Sequence, residues 1–440
     1  MGLKTIKLEG LFFVVSIGFF ALLYGFLAER YKLFPYHSLN RAVDQAEVIL
    51  SSTIFTPHYL YPKVYEDHGV KTYNVNAIEP GLTLLTSFWP EYDWKAGIKL
   101  IDLNGNTIHG WELDPSKIWP EGVPDLSDIN GIYPHGTYLF PNGDILFNIE
   151  YVGLIRMDSC GLVKWRLDYP THHSISIDDD GNFWIPGNIS RVKNSNEDRN
   201  HISQYPGLAV PIAEDRLLKV SPEGEILKDI DLIKVIYEND LQRYIPKVSK
   251  RRRGDIFHLN DIDVLREEMA AEYPLFEKGD IAVSLKYLHL VMVLDPNTGL
   301  VKWHSTDHVI EQHDPDFTGN GWITIFDNNA DYSPRGEMLG GSRIVAIQPH
   351  SGESRVAYPV NNSERFYTKA GGKWQLLENK NMLITEARAG RAFETTADGE
   401  LVWEWIHQPY DNNSVTEVLE ASRYAITSEQ VSSWSCGPEV

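Results

Sequence analysis

The sequence predicts an all-β protein, a six-bladed β-propeller of four-stranded blades that follows an N-terminal transmembrane helix. A glycine turn is followed by a tryptophan at one fixed offset in three places, which are residues 160–165 (CGLVKW), 298–303 (TGLVKW) and 398–403 (DGELVW). Looser copies of the turn occur at Gly105, Gly224 and Gly352, and an apolar run typical of a strand precedes each of the six turns. Strand, glycine turn and strand, repeated at intervals of about fifty to seventy residues, indicate a propeller.

Composition sets limits on the partners of this chain. The 440 residues are 42% hydrophobic, which is enough for a large core. The formal net charge of −21 argues against a nucleic-acid partner, which would need a basic face. A small anionic ligand remains compatible with this charge, because a few cationic groups in a channel can dominate the local potential. The only cysteines are Cys160 and Cys436; they could pair in an oxidising compartment, but the sequence does not show that their Cβ atoms are close.

The N-terminus predicts export from the cytosol. Lys4 and Lys7 precede an uncharged apolar run over residues 11–28, and about eighteen such residues suffice to span a bilayer as a helix. A cleavable signal needs a small residue where this chain has Phe26, so we expect an uncleaved signal anchor with the lysines inside. A cleaved signal peptide is the alternative. Either interpretation places the propeller in the periplasm or outside the cell, and the anchor predicts a single-pass protein of the inner (cytoplasmic) membrane.

Three regions follow from these features. Residues 1–29 are predicted to be a cytoplasmic stub and the transmembrane anchor. Residues 30–79 are predicted to be a linker that holds a short amphipathic helix, capped by Ser38 and ending near Leu50, and a first strand. Residues 80–440 are predicted to be the catalytic propeller.

A second kind of β-unit alternates with the glycine-turn hairpins, and in four copies it begins with histidine. The histidines are His135, the pair His172 and His173, His258 and His313. Because the starts of inner strands converge on the axis of a propeller, we expect these side chains to share one pocket. Neighbours on a strand face opposite sides, so only one of His172 and His173 can face the channel, and we favour His173. His135 is interpreted as structural, with a hydrogen bond between blades.

Several of these segments resemble blocks of the arylsulfotransferase family, in the family's order from about residue 80 to the C-terminus. The most specific block is residues 311–317 (EQHDPDF) followed by 323–329 (ITIFDNN), which is similar to a Gln-His block and a Phe-Asp-Asn-Gly strand. Weaker blocks are residues 257–261 (FHLND), 279–286 (GDIAVSLK) with 291–295 (VMVLD), and 172–175 (HHSI) with 180–182 (DGN). The resemblance implies an exported six-bladed propeller that moves a sulfuryl group between phenols without a nucleotide cofactor.

The resemblance also implies roles for individual residues. His313 matches the histidine that is transiently sulfurylated, and His173 and His258 match the assisting histidines. Lys286 stands where the family has arginine, and it offers a point charge instead of a planar fork for sulfate oxygens. We expect Lys286 and Asn260 to bind substrate by stabilising developing charge. The expected partners are an aryl sulfate donor and a phenolic acceptor, and no cofactor is predicted.

Other classes of function remain open from the sequence. Asp314 and Asp316 lie beside His313 and raise the question of charge repulsion with an anion. A histidine cluster could bind a metal, and the turn at 294–303 also resembles repeats of quinone-dependent propeller dehydrogenases. A non-catalytic, membrane-tethered propeller that binds a glycan or a protein partner is a further alternative. The repeated tryptophans Trp165, Trp303 and Trp403 are interpreted as packing between blades.

Overall fold

The computed structural model describes residues 8–31, 57–124, 132–191, 205, 208, 212–245, 255–361 and 363–435. The chain divides into two compact units, Met1–His58 and Tyr59–Val440. The first unit contains α1 (Leu8–Tyr31), along which apolar side chains such as Phe20 and Leu22 are exposed.

The apolar run at 11–28 lies within α1 and is helical. No helix among the described residues combines the length and the hydropathy that crossing a bilayer requires, so the predicted transmembrane anchor, and with it the membrane as a partner, is not supported. The predicted amphipathic helix at 38–50 and the polar loops at 192–200 and 251–253 lie outside the described residues.

The second unit is built from short antiparallel strands. It starts with β1 (Leu60–Pro62) and β2 (Gly69–Thr72). Blade 1 contains β3 (Leu82–Trp89), β4 (Lys95–Ile101) and β5 (Thr107–Glu112). Blade 2 contains β6 (Pro134–Leu139), β7 (Ile145–Ile149), β8 (Gly153–Met157) and β9 (Val163–Leu167). Blade 3 contains β10 (Ser176–Ile177), β11 (Phe183–Arg191), β12 (Ile212–Val220) and β13 (Ile226–Asp231).

The remaining blades follow the same order. Blade 4 contains β14 (Leu259–Val264), β15 (Ile281–Leu285), β16 (Leu290–Leu294) and β17 (Val301–Ser305). Blade 5 contains β18 (His313–Phe317), β19 (Ile323–Asp327), β20 (Arg343–Gln348) and β21 (Glu353–Tyr358). Blade 6 contains β22 (Lys373–Leu376), β23 (Met382–Glu386), β24 (Arg391–Thr395) and β25 (Leu401–Ile406), and the last strands are β26 (Ser414–Thr416) and β27 (Glu420–Tyr424).

Short helices connect these strands. The α-helices are α2 (Pro115–Ile118), α3 (Leu232–Glu238), α4 (Glu267–Ala270) and α5 (Ser428–Ser432). Single 3₁₀ turns occur at Pro90–Tyr92, Leu241–Tyr244, Lys286–Leu288 and Ala387–Ala389. The turn at Lys286–Leu288 joins the second and third strands of blade 4, and the turn at Ala387–Ala389 does the same in blade 6.

Both ends of the unit close the ring. The C-terminal strand β27 pairs with β3, from Glu420 opposite Thr86 to Tyr424 opposite Leu82, and so becomes the inner strand of blade 1. The N-terminal strand β2 pairs with β25 as a fifth, outer strand of blade 6. The predicted all-β, six-bladed propeller of four-stranded blades is therefore confirmed. The described residues add β2 at the edge of blade 6 and a separate two-stranded sheet of β1 and β26.

The glycine turns and the tryptophans form one interaction that repeats between blades. Trp111 Nε1 donates to Asp158 O at 3.0 Å, Trp165 Nε1 to Pro222 O at 3.0 Å, and Trp403 Nε1 to Leu103 O at 3.0 Å. In each case the fourth strand of one blade contacts the glycine turn between the third and fourth strands of the next blade. Trp165 and Trp403 therefore pack between blades, as predicted, and Trp111 does the same. Trp303 is half-buried against the apolar cluster shared by blades 4 and 5.

Gly224 shows why such a turn needs glycine. Its φ is +89°, in the left-handed region that side chains disfavour. A Cβ at this position would also lie 2.7 Å from Cε3 of the Trp165 ring. The turn therefore fits the tryptophan of the preceding blade only without a side chain.

The cysteines add one constraint. Cys160, in the glycine turn of blade 2, is disulfide-bonded. The only other cysteine of the sequence is Cys436, which lies outside the described residues. The segment before it is close to the turn, since Ser159 Oγ donates to Ser435 O at 3.5 Å.

Replacing Trp403 by alanine tests the interaction between blades. The Trp403 side chain is fully buried between blades 6 and 1. We expect Trp403→Ala to lower the free energy of unfolding by about 3–5 kcal/mol, because it leaves a cavity at the ring closure. Urea unfolding followed by circular dichroism measures this, with the exposed Leu300→Ala as control, for which about 0.5 kcal/mol or less is expected. An equal loss in both variants would contradict the interpretation.

Candidate active site

A small cavity lies on the axis where the inner strands begin. Its volume is about 30 Å³, and each of the six blades contributes two adjacent residues to its wall. The lining residues in blade order are Leu419 and Glu420, His135 and Gly136, His173 and Ser174, Asn260 and Asp261, His313 and Asp314, and Gly372 and Lys373. Of the histidines expected to share one pocket, His135, His173 and His313 line this cavity. His258 is not part of the lining, although its ring lies beside that of His173.

The backbone around the cavity is irregular in the same way in several blades. The ladder shifts register at Gly136 in β6, at Asn260 in β14 and at Asp314 in β18. His173 and His258 both have positive φ, at 57° and 53°. Such bulges and left-handed residues cost about 1–3 kcal/mol each, cluster at functional sites and re-aim side chains. Here they turn histidines toward the axis.

His313 is held in one tautomer. Its Nδ1 lies 2.6 Å from Asn328 Oδ1, while Asn328 Nδ2 donates to Thr368 O at 2.9 Å and to Gly371 O at 2.7 Å. Because the amide nitrogen of Asn328 is committed to carbonyl groups, its oxygen faces the ring and Nδ1 carries the hydrogen. The Nε2 atom of His313 is consequently left with its lone pair.

Burial also keeps the His313 ring neutral. Loss of hydration, and then the charge of Lys286, hold the pKa of His313 well below its ordinary value. The ring is 5% exposed, so it reaches the cavity while remaining poorly hydrated. A neutral imidazole with an unprotonated Nε2 is the form that can act as a nucleophile.

His258 forms a dyad with Asp255. Its Nδ1 lies 2.6 Å from Asp255 Oδ2, and its backbone N–H donates to Asp255 Oδ1 at 2.9 Å. Burial opposes ionisation of Asp255, but the charge and hydrogen bonds of His258 lower the pKa of this carboxyl. Asp255 can therefore orient the ring and stabilise an imidazolium. Asp255 was not predicted from the sequence, although an acid three residues before a candidate histidine is a visible signal.

The structure separates the two adjacent histidines. His173 lines the cavity, whereas His172 is fully buried behind it. The two Nδ1 atoms are 2.8 Å apart, and the His173 ring centroid lies 4.3 Å from that of His135 and 5.2 Å from that of His258. Burial lowers the pKa of His173 well below its ordinary value and lowers those of His172 and His135 to about 3. Three neutral rings thus adjoin the cavity or its wall.

Among the described residues, the hydrogen bond between blades that was expected for His135 is not found. His135 lines the cavity, and among the described residues its buried Nδ1 has no hydrogen-bond partner. Ligand atoms of His135, His173 and Glu150 lie within 4.8 Å of one another, a spacing that one metal ion could also bridge. His173 Nδ1 contacts His172 at 2.8 Å and Glu150 Oε1 only at 3.9 Å, so a hydrogen shared by the two rings accounts for the position of His173, and we assign no metal to this group.

Lys286 supplies a buried cation near the histidines. It is 6% exposed at the start of the 3₁₀ turn after β15, and its Nζ lies 3.9 Å from Glu311 Oε2. Glu311 also accepts a hydrogen bond from the Tyr332 hydroxyl. Tyr287, next to Lys286, stacks near His258 with ring centroids 4.7 Å apart. This places an aromatic ring and a cation beside the dyad.

Asn260 was predicted to bind substrate, and its side chain connects two blades. Its Nδ2 donates to Gln312 O at 2.7 Å, which ties blade 4 to the residue before His313. Its Oδ1 is buried without a hydrogen-bond partner among the described residues. Asn260 therefore positions the His313 segment, with an acceptor oxygen turned to the interior.

The acidic residues beside His313 are compensated. Asp314 Oδ1 lies 3.0 Å from Lys373 Nζ, and Asp314 Oδ2 accepts from the backbone of Trp374 at 2.7 Å. Burial alone would lower the pKa of Lys373, but Asp314, Glu420 and Asp261 raise it well above its ordinary value. Burial and the charge of Asp314 raise the pKa of Asp316, which favours its neutral form. The repulsion expected between an anion and the two acids, Asp314 and Asp316, is therefore largely cancelled, because Lys373 pairs with Asp314 and Asp316 favours its neutral form.

Three solved structures are among those to which the chain is similar. A protein of unknown function from Bacteroides caccae is 15% identical, with a TM-score of 0.44 and coverage of 74% of this chain and 93% of that chain. Virginiamycin B lyase from Staphylococcus aureus is 10% identical, with a TM-score of 0.34 and coverage of 68% and 86%. The Pan2 WD40 domain of Neurospora crassa is 10% identical, with a TM-score of 0.38 and coverage of 76% and 84%. At these values the likenesses assign no function.

No curated protein matches the chain. A family model described as arylsulfotransferase (ASST) matches residues 137–408, which is more than half of the 440 residues. The matched range contains His173, His258, His313, Asn260 and Lys286, and it runs from blade 2 to blade 6. The chain belongs to the arylsulfotransferase family.

Proposed function

We propose that this protein transfers a sulfuryl group from an aryl sulfate to a phenolic or other hydroxyl acceptor through a sulfo-histidine on His313, without a nucleotide cofactor. The observation that supports this most directly is the state of His313: Asn328 accepts from Nδ1, and Nε2 keeps its lone pair at a cavity lined by histidines. Family membership supports the reaction class.

In the first half-reaction His313 Nε2 attacks the sulfur of the donor. The N–S bond forms while the S–O bond to the aryl group breaks, and the bonding pair leaves with the phenolate. His313 keeps its Nδ1 hydrogen on Asn328, so the sulfo-imidazole is held in place. A proton reaches the leaving oxygen from an assisting histidine, either His258 or His173.

In the second half-reaction the acceptor hydroxyl reverses these steps. An assisting histidine takes the proton of the acceptor, whose oxygen attacks the sulfur and releases His313 Nε2. Asp255 stabilises positive charge on His258 while this histidine holds the proton. Splitting the transfer in two removes the need to bind both phenols at once, which suits the narrow axial cavity.

Lys286 is proposed to hold the sulfuryl oxygens. A lysine in a poorly hydrated site gives a strong but undirected attraction, whereas the family's arginine would grip two oxygens in a plane. Glu311, 3.9 Å from Lys286, offsets part of this charge in the structure described here. A sulfuryl group with a single negative charge suits Lys286, whose charge is only partly compensated, because the other nearby cation, Lys373, is paired with Asp314.

We also propose that the propeller works in an oxidising compartment outside the cytosol. The support is that Cys160 is disulfide-bonded, and such bonds persist mainly in exported proteins.

The proposed nucleophile is tested with the full-length protein and 4-nitrophenyl sulfate. We expect nitrophenol release that depends on an added phenol, and a sulfuryl adduct mapped to His313 by mass spectrometry. His313→Asn should lower the rate on the order of 10³-fold or more, because the covalent route is lost. The exposed His308→Asn is the matched control. Undiminished transfer by His313→Asn would rule out the nucleophile, and loss of wild-type activity on adding EDTA would favour metal-dependent chemistry instead.

The tautomer of His313 is tested by nitrogen-15 NMR of histidine-labelled protein. Because the pKa of His313 is lowered, we expect the ring to stay neutral with its hydrogen on Nδ1 as the pH falls from about 8 to about 6.5, where an unperturbed histidine is half protonated. In Asn328→Ala we expect a mixture of tautomers, since the acceptor for Nδ1–H is removed. A protonated ring at pH 7 in the wild type would contradict this assignment.

The role of Lys286 is tested by two substitutions. We expect Lys286→Met to lower kcat/KM for 4-nitrophenyl sulfate by about 10²–10³-fold, as the loss of a group that stabilises transition-state charge usually does. Lys286→Arg keeps the charge and should retain most of the activity. The exposed Lys278→Met serves as control. Equal activity of Lys286→Met and the wild type would remove Lys286 from the site.

A further inference from the structure

His172 is buried behind the cavity and has no assigned part in the proposed sulfuryl transfer. The His172 ring is fully buried, and its Nδ1 lies 2.8 Å from the Nδ1 of His173. Two nitrogens at this distance hold one hydrogen between them, because two lone pairs or two N–H groups would repel each other. The tautomer of His173 is therefore tied to that of His172.

The other nitrogen of His172 faces an acid. Its Nε2 lies 3.8 Å from Asp215 Oδ1, which is longer than a hydrogen bond, and it has no hydrogen-bond partner among the described residues. A buried polar atom without a partner calls for an explanation, and catalytic contacts are often long before substrate binds. These contacts form a path that begins at Asp215 and passes through Nε2 and Nδ1 of His172. The path then reaches Nδ1 of His173, which lines the cavity.

Asp215 is held firmly and is poorly hydrated. It is 2% exposed on β12, its Oδ1 accepts from Asn188 Nδ2 at 3.0 Å, and its Oδ2 accepts from the backbone N–H of Leu259 at 3.1 Å. Burial, and then the charge of Asp255, raise the pKa of Asp215 well above its ordinary value, which favours the protonated form of this carboxyl. A proton donor thus lies beside the bare nitrogen of His172.

We propose that Asp215 and His172 form a proton relay that acts through His173, and that this relay extends the donor range to sulfate esters of unactivated phenols. The inference rests on the proposed sulfuryl transfer. Asp215 and His172 do not reach the cavity and are positioning residues, whereas His173 is the group that touches the substrate.

The protons balance over the two half-reactions. Before transfer, Asp215 carries a proton, His172 carries hydrogen on Nδ1, and His173 carries hydrogen on Nε2. As the S–O bond breaks, His173 Nε2–H protonates the phenolate, His173 Nδ1 takes the hydrogen of His172 Nδ1, and His172 Nε2 takes the proton of Asp215. The relay then ends in a carboxylate, and His173 Nε2 holds a lone pair. The acceptor phenol returns its proton along the same path.

This relay resolves a conflict at His173. Burial strongly disfavours the charged form of this ring, so His173 is a poor store for an extra proton. In the relay, each ring gains one hydrogen as it loses another, and the negative charge appears on Asp215, where Asn188 and Leu259 already donate. His173 can therefore act first as an acid and then as a base while remaining neutral.

The consequence concerns the basicity of the leaving group. 4-Nitrophenolate is weakly basic and departs without a proton, whereas a phenolate such as that of a tyrosine-like ring, with a phenol pKa of about 10, needs protonation as it leaves. The relay should therefore matter little for 4-nitrophenyl sulfate and strongly for 4-methylphenyl sulfate.

The test compares these two esters in the full-length protein and in the variants Asp215→Asn and His172→Gln. We expect kcat/KM for 4-nitrophenyl sulfate to change by about threefold or less, and that for 4-methylphenyl sulfate to fall on the order of 10²-fold, the usual contribution of general acid catalysis. Glu214→Gln is the matched control, since Glu214 is an equally buried acid that neighbours Asp215 on β12 and points to the other face of the strand.

Each outcome tests either the proposed function or the relay. If the wild type turns over neither ester, the proposed function fails and the relay with it. If the wild type is active and the variants lose both esters equally, or lose neither, the relay alone is overturned. If one variant does not fold, the other still gives the ratio between the two esters, and that ratio is insensitive to the fraction of folded protein.

Discussion

Closure of the ring is the constraint on which the rest of the structure depends. The cavity wall takes two residues from every blade, and those of blade 1 come from the segment that ends in β27, at the opposite end of the chain from β3. Until β27 pairs with β3, Leu419 and Glu420 are missing from the wall, and Lys373 lacks one of its carboxylates. Because this pairing joins residues more than three hundred positions apart, the site can form only after nearly the whole unit has folded.

The contact between blades sets the geometry of this ring. A tryptophan on the fourth strand of one blade donates to a glycine turn of the next blade, and the same contact recurs from blade 1 to 2, from 2 to 3 and from 6 to 1. Such a contact fixes the angle between neighbouring blades far from the axis. A small error in that angle would move the inner strand ends, so the periphery controls the spacing of the histidines.

The sequence predicted the fold and the convergence of histidines because both depend on local, repeated signals. Glycine turns and tryptophans appear at a fixed offset, and His135, His173 and His313 occur at similar places in their units. The choice of His173 over His172 agrees with the lining of the cavity, whereas the bond expected for His135 is absent among the described residues. One strand was predicted within residues 30–79, whereas the structure has two, β1 and β2, because strands of three and four residues carry little periodic signal.

What the sequence could not supply are the partners of the histidines. Asn328 is 15 positions from His313, and Asp215 is more than forty positions from His172, so each pair depends on the register of neighbouring strands. These partners decide which nitrogen carries hydrogen, and therefore which histidine can attack and which can donate. The transmembrane prediction, in turn, rested on an apolar run alone, and the helix that contains this run is not identified as a span.

The site must satisfy two opposing requirements. An imidazole attacks only when it is unprotonated, whereas an anionic donor is attracted by positive charge. In the proposed mechanism these tasks fall to different groups, since burial and the charge of Lys286 hold the pKa of His313 low while Lys286 supplies the positive charge. The same poor hydration strengthens the attraction of Lys286 for an anion and removes water that would compete as an acceptor. The lysine in place of the family's arginine is therefore compatible with transfer, because the field at the sulfur requires a charge whereas the orientation can come from the histidines around it.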